Sequence, residues 1–249
     1  MGLGHLLYPG YCACCELVSD SVCSACRGEI TSWIPTCCWR CGSARTGSCL
    51  CTELPSAVTY IDALWTLNGP VAQIIENTKY RGELWRLYKL KREIKSWFSA
   101  IMKRHLVEWS IVPVPPDRGR LRERGFHLPA ILSGWASTQG RYTLDLTRLK
   151  RSHGDHSRQV GRSMVGRKSQ GDLFTVNLPV PASVLLIDDV ITTGATVISC
   201  AQALALGGAE QILVLSLGRT PWVSESRLST VSSKTGMAVD SAPSQSPGA

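Results

Sequence analysis

Two patterns of apolar residues run along this chain, and each predicts a different element. Short, nearly continuous apolar runs at 110–114, 183–187 and 212–217 suit strands buried on both faces. Residues 58–67 (VTYIDALWTL) mix β-branched and aromatic side chains and read as one or two further strands. Helical spacing begins after the turn Gly69-Pro70, with Val71, Ile74 and Ile75 on one side, until Lys79-Tyr80-Arg81-Gly82-Glu83 interrupts it. Residues 84–107 read as one long amphipathic helix with Leu84, Leu87, Tyr88, Ile94, Trp97, Phe98 and Ile101 facing a core. Further helices are expected over 126–138 and 195–206, and a strand over 143–149. The strand at 183–187, the helix at 195–206 and the strand at 212–217 form a βαβ unit, which requires a parallel sheet. The fold class is therefore α/β.

Both patterns fail in three places. Residues 152–172 alternate Ser, Gly, Arg and Lys with few apolar anchors and read as a mobile basic loop. After Pro221 the chain turns Ser-rich and cannot bury a core, so 222–249 is expected to be a disordered tail. Residues 1–53 hold ten of the eleven cysteines and read as a small metal module ahead of an α/β domain at 54–221.

Three cysteine pairs have a two-residue gap: Cys12 and Cys15, Cys23 and Cys26, Cys38 and Cys41; a fourth, Cys49 and Cys51, has a gap of one. A short gap lets two thiolates reach one ion from a tight turn, and two such turns complete a tetrahedral site. These eight cysteines could serve two ions, or one with the remaining pairs unused. Cys14 and Cys37 look like extras. Zinc is favoured for an all-sulfur site, with an iron–sulfur cluster as the lesser option. Its role would be structural, because four thiolates leave no position for water. A disulfide framework is the competing reading, and the lack of an export signal argues against it. No apolar run of about 18 residues suggests a membrane span, and a cytoplasmic protein is expected.

Charge is just as uneven. The net charge is +8, and residues 113–168 alone hold twelve Arg or Lys against four Asp or Glu. One central segment therefore carries the whole excess, which suggests an anionic partner; a merely solvated loop is the alternative.

The most informative stretch is VLLIDDVITTGAT, residues 184–196. A buried strand ends in Asp188 and Asp189, and a loop of small residues leads into a helix. In an open parallel sheet, ligands sit beyond the carboxyl ends of the strands. Loop amides and a helix N-terminus can cradle a phosphate, Gly194 allows close approach, and Thr192, Thr193 and Thr196 add hydroxyls. The acids repel phosphate and should face sugar hydroxyls or magnesium, so the stretch describes a ribose 5-phosphate site. A nucleotide triphosphatase would need GxxxxGK[ST], which the chain lacks.

These residues resemble the phosphoribosyl diphosphate (PRPP) loop of type I phosphoribosyltransferases. With the cysteine pairs, Lys79-Tyr80-Arg81-Gly82, Val112-Pro113-Val114-Pro115 and the run 120–126 (RLRERGF), the chain resembles the ComF family, over roughly residues 10–220. The resemblance implies a zinc module joined to a type I phosphoribosyltransferase domain, a parallel sheet flanked by helices. It implies that Asp188 and Asp189 bind ribose hydroxyls and are the catalytic candidates, and that Thr192, Thr193, Gly194, Ala195 and Thr196 hold the 5-phosphate. It places the diphosphate, with magnesium, near Arg81, Arg120 and Arg124. It further implies a role in uptake of transforming DNA or in nucleotide handling, and a DNA translocation helicase as partner. A catalytically silent adaptor that binds single-stranded DNA is the rival reading. The family pattern has Asn-Gln where this chain has His127-Leu128. His127, His153 and His156 are the general-base candidates, each expected to be an exposed loop residue instead.

Overall fold

The computed structural model describes residues 10–19, 21–34, 38, 54–105, 107–140, 142–152 and 173–220. Cys41, Cys49 and Cys51, the histidines at 153 and 156, residues 153–172 of the basic loop and the tail at 222–249 lie outside the described residues. In chain order the elements are α1 (Ser24–Glu29), β1 (Val58–Thr66), α2 (Gly69–Arg81), α3 (Leu84–Lys89), α4 (Lys91–Met102), β2 (Ser110–Pro113), α5 (Arg118–Arg124) and α6 (Leu128–Ser137). There follow β3 (Thr143–Leu144), β4 (Leu149–Arg151), β5 (Phe174–Val176), β6 (Ser183–Ile191), α7 (Ala195–Leu206) and β7 (Gln211–Arg219).

Five strands form one sheet in the order β1-β7-β6-β2-β3, with every neighbouring pair parallel. The sheet is covered on both sides, so the central strands are apolar throughout, as the sequence runs suggested. Alternation along β6 shows the two layers directly. Leu185 and Ile187 pack with α2, α4 and α6, whereas Val184 and Leu186 pack with Val197, Cys200 and Leu204 of α7. Strands β4 and β5 pair antiparallel as a separate two-stranded ribbon. The α/β class with a helix-flanked parallel sheet is the fold expected from the sequence.

Two expected elements are divided. The single helix over 84–107 breaks at Leu90, whose φ of −95° and ψ of 0° end α3 and start α4. The stripe survives the break, since Leu87, Leu90, Ile94, Phe98 and Ile101 are all buried. The strand over 143–149 becomes β3 and β4, in different sheets. Between them Asp145 Oδ1 accepts from both the amide and the hydroxyl of Thr147 at 3.0 Å, a local turn that competes with extended backbone.

The cysteine-rich segment shares a core with the helices. Cys12, Ala13, Cys14 and Val22 are buried in the cluster that holds Val71, Ile74, Leu87, Leu90 and Ile94. Downstream of α1, Thr66 of β1 donates its amide to Thr31 at 2.8 Å, and the Trp33 amide donates to Leu64 at 3.3 Å. The segment therefore leans on the α2–α4 layer and reaches the end of β1.

Candidate functional site

Strand β6 continues past Ile187 and carries both acids before it ends at Ile191. Successive strand residues point to opposite faces, and the acids divide accordingly. Asp188 takes the α7 side and is 7% exposed. Cys200 of α7 and Arg151 of β4 are near enough to share its field. Burial, reinforced by the charge of Asp189, pushes the Asp188 carboxyl up to about 7, against the opposing pull of the Asp189 amide, Lys79 and Arg151. Asp189 takes the α2 and α6 side, where its Oδ1 accepts from Lys79 Nζ at 2.8 Å. His127, the residue capping α6, sits in the field of Asp189 and bonds to the Val114 backbone; burial nonetheless holds its pKa below the ordinary value. His127 is half-buried, which corrects the expectation of an exposed loop residue: the turn after α5 folds it against the carboxyl end of β2.

Beyond β6, Thr192 and Thr193 are exposed, and Gly194 at φ 81° is the N-cap of α7. Only glycine takes this backbone conformation without strain. Asp188 and residues 190–197 line a small hollow that opens to solvent. It includes Thr192, Thr193, Gly194, Ala195 and Thr196; the Ala195 amide donates to the Thr193 hydroxyl at 3.4 Å, and the first-turn amides of a helix have no intrahelical carbonyl to meet. The buried Arg219 at the end of β7 donates to the carbonyls of Ile191 at 3.1 Å and of Thr192, and its guanidinium lies 5.7 Å from the Trp33 ring centre. With these carbonyls engaged below, the loop offers hydroxyls and amides to a ligand. Donors along one wall and a carboxyl at its base suit a phosphorylated polyol.

A second constellation lies in the N-terminal segment. Residues 10–19 fold back on themselves, with the Cys12 amide donating to Leu17 at 2.6 Å and the Tyr11–Val18 bridge closing the loop. Helix α1 begins after Cys23 and presents Cys26. The ligand atoms of Cys12, Cys15, Cys23 and Cys26 lie within 4.8 Å of one another. The amides of Cys14 and Cys23 donate to Cys12 Sγ at 3.4 and 3.3 Å. Burial raises the Cys12 thiol, yet these amides and neighbouring Cys15 outweigh it and bring the pKa down to about 6. Cys26 is pushed upward by burial and by the surrounding thiols. A thiolate-favouring amide cage with mutually repelling neighbours is what a bound dication relieves. These four cysteines could hold a metal ion.

The first two cysteine pairs thus come together as the spacing suggested. Cys38 is buried but is not among these four; its expected partners lie outside the described residues. Cys14 stands beside the group and donates its thiol to Gln73 of α2 at 2.9 Å.

No family model matches the chain. It is 26% identical over 197 residues to the competence protein ComFC of Bacillus subtilis, across 74% of this chain and 78% of that protein. A second competence protein ComFC, from Streptococcus pneumoniae, is 25% identical over 63% of this chain and 67% of its own. The DNA utilization protein YhgH of Escherichia coli is 25% identical over 86% of this chain and 99% of its own length. These likenesses support the ComF-family resemblance that the motifs carry.

The residues marked for the diphosphate lie on two elements, Arg81 on α2 and Arg120 and Arg124 on α5. Arg81 is exposed at the last turn of α2, and Arg120 is exposed on α5. The Arg124 guanidinium lies 5.0 Å from the Tyr80 ring centre. Lys79 and Arg151 are cations whose fields reach Asp188. Arg219 escaped the sequence reading, because an arginine closing an apolar run carries no local signal of its tertiary partner, and Arg151 was visible only as one charge of the basic segment. Lys79 was visible only as part of a motif. Among the described residues, no helix is long and apolar enough to cross a membrane.

Proposed function

We propose that this protein binds PRPP at the β6–α7 loop and serves DNA uptake or nucleotide handling. The observation that carries the reading is the junction itself: Asp188 at the base of a hollow walled by Thr192, Thr193, Gly194, Ala195 and Thr196 at the start of α7. The 5-phosphate would take the loop amides and hydroxyls, while Asp188 and Asp189 would accept from the ribose hydroxyls. Magnesium, when bound with the diphosphate, would screen its charge. The four N-terminal thiolates would hold zinc in a closed structural site. The link to DNA uptake is supported by the names of the relatives, competence and DNA utilization proteins.

Calorimetry with PRPP and magnesium tests this reading. The wild-type chain should bind, and Asp188→Asn and Asp189→Asn should each weaken binding. No binding by the wild type, or affinity in both variants equal to that of the wild type, would remove the proposal.

The second reading, an adaptor for single-stranded DNA, is supported by α5, which buries none of its residues and carries four arginines, and by Tyr80, 73% exposed beside Arg124. Exposed cations and aromatic faces suit phosphates and stacked bases. Affinity falling steeply with salt is its mark. A helicase partner would co-purify with the chain.

A further inference from the structure

The ion pair between Lys79 and Asp189 is hard to reconcile with a static pocket. Lys79 Nζ stands 2.8 Å from Asp189 Oδ1, with side chains only 16% and 14% exposed. An acid meant to accept ribose hydroxyls is thus already engaged by a cation, at the carboxyl end of the sheet where the ligand would enter. Removing that cation without replacement would leave a carboxylate unpaired in a poorly hydrated place, which is costly.

From this arrangement we infer that Lys79 is the ligand's diphosphate-reading group, and that it exchanges partners on binding. The inference rests on the PRPP reading above. Ribose hydroxyls take over Asp189, and the released ammonium turns to a diphosphate oxygen. Neither charge is left unpaired when both halves of the ligand are present. The side chain suits this: a compact charge on a flexible four-carbon stem with three rotatable donors. Its backbone, by contrast, is fixed. Helix α2 ends immediately afterwards, with Gly82 at φ 71° as the left-handed cap, and the neighbouring Thr78 is fully buried.

The alternatives on the page serve less well. Arg151, like Lys79, reaches Asp188 through its field, but among the described residues it is Lys79 that forms an ion pair with one of the two acids. Arg124 lies over Tyr80, and Arg120 extends from the exposed α5. Lys79 alone among these already touches an acid of the proposed site.

Exchange predicts selectivity. Ribose 5-phosphate supplies hydroxyls for Asp189 but nothing for the displaced ammonium, so it must break the pair without compensation. PRPP compensates both groups. Preference for PRPP over ribose 5-phosphate should therefore depend on Lys79.

The test is calorimetry with both compounds, each with magnesium, on the full chain. Wild type should prefer PRPP. Lys79→Met should weaken PRPP on the order of ten- to a hundredfold, while ribose 5-phosphate affinity does not fall, because Asp189 is now free. Lys79→Arg should keep the preference, with thermal unfolding confirming that both variants fold. Equal changes for the two compounds, or none, would overturn the role of Lys79 and leave the PRPP reading standing. Wild type binding neither compound would remove both.

Discussion

Arg86 donates to the carbonyl oxygen of Ala13 at 2.9 Å from a guanidinium that is 1% exposed. The same side chain reaches the carbonyl of Cys14 at 3.1 Å, Glu83 at 2.5 Å and Glu16. One arginine of α3 therefore gathers the loop that carries Cys12 and Cys15. Arg86→Met keeps the length but leaves two carbonyls and Glu83 without their cation. Unfolding free energy should fall by about 3 kcal/mol, less than for a fully enclosed pair because Glu16 is largely exposed. Urea titration of wild type and variant checks the size, and an unchanged midpoint would show that the staple contributes nothing.

Metal removal separates ligand from bystander among the thiols. Cys12→Ser and Cys26→Ser should each abolish ion binding at the described cluster, because a neutral hydroxyl replaces a thiolate ligand and leaves a three-sulfur remnant. Cys14→Ser should retain the metal, since its thiol is turned to Gln73. Elemental analysis per chain reads both. A chelator should also lower the melting temperature, since about 50 residues bury little core on their own and the ion would supply their folding energy.

How much of this was legible in the sequence depends on the kind of force involved. Strands β6 and β7 and helix α7 were plain because a doubly covered sheet demands uninterrupted apolar runs. Leu90 gave no warning of a break, since Lys89-Leu90-Lys91 contains neither Gly nor Pro and the apolar stripe passes through intact. Helix α5 went unseen because it buries nothing. Only the Asp117 side chain accepting from the Arg120 amide and the left-handed Gly125 define its ends. At the site, the threonines and acids could be read from their order, but the assignment of each acid to its own face of β6 could not. That division follows from strand alternation together with what α2 and α7 place on each side.

The hydroxyl loop depends on its support as well as its residues. Gly194→Val forces a β-branched side chain into the left-handed region and should cost about 1–2 kcal/mol. Arg219→Ala frees the carbonyls of Ile191 and Thr192, so the loop loses the contact that holds its oxygens away from an anion. Both variants should bind PRPP more weakly while retaining the far-ultraviolet circular dichroism of the wild type. Unaltered affinity in Arg219→Ala would show that the loop holds its shape unaided.

Asp188 should impose a pH dependence of its own. Its carboxyl rises from an ordinary value of 3.8 to about 7 in the folded chain, chiefly through burial. Between those values the folded chain keeps a proton that the unfolded chain has released. The contribution of Asp188 to stability therefore decreases as pH rises from about 4 to 7 and levels off above 7. Asp188→Asn cannot ionise, so it should gain on wild type across that window, by up to roughly 4 kcal/mol at pH 8, and show no such gain at pH 4. Ligand binding should run the other way. Ribose hydroxyls donate to the ionised carboxylate, so binding expels the Asp188 proton, and PRPP affinity should climb from pH 6 to 8 beyond the change due to the ligand's own phosphates. Calorimetry in buffers of different ionisation enthalpy counts that proton directly. Release at pH 6 that disappears in Asp188→Asn is the expected result, and identical proton counts in the two chains would place the hydroxyls elsewhere.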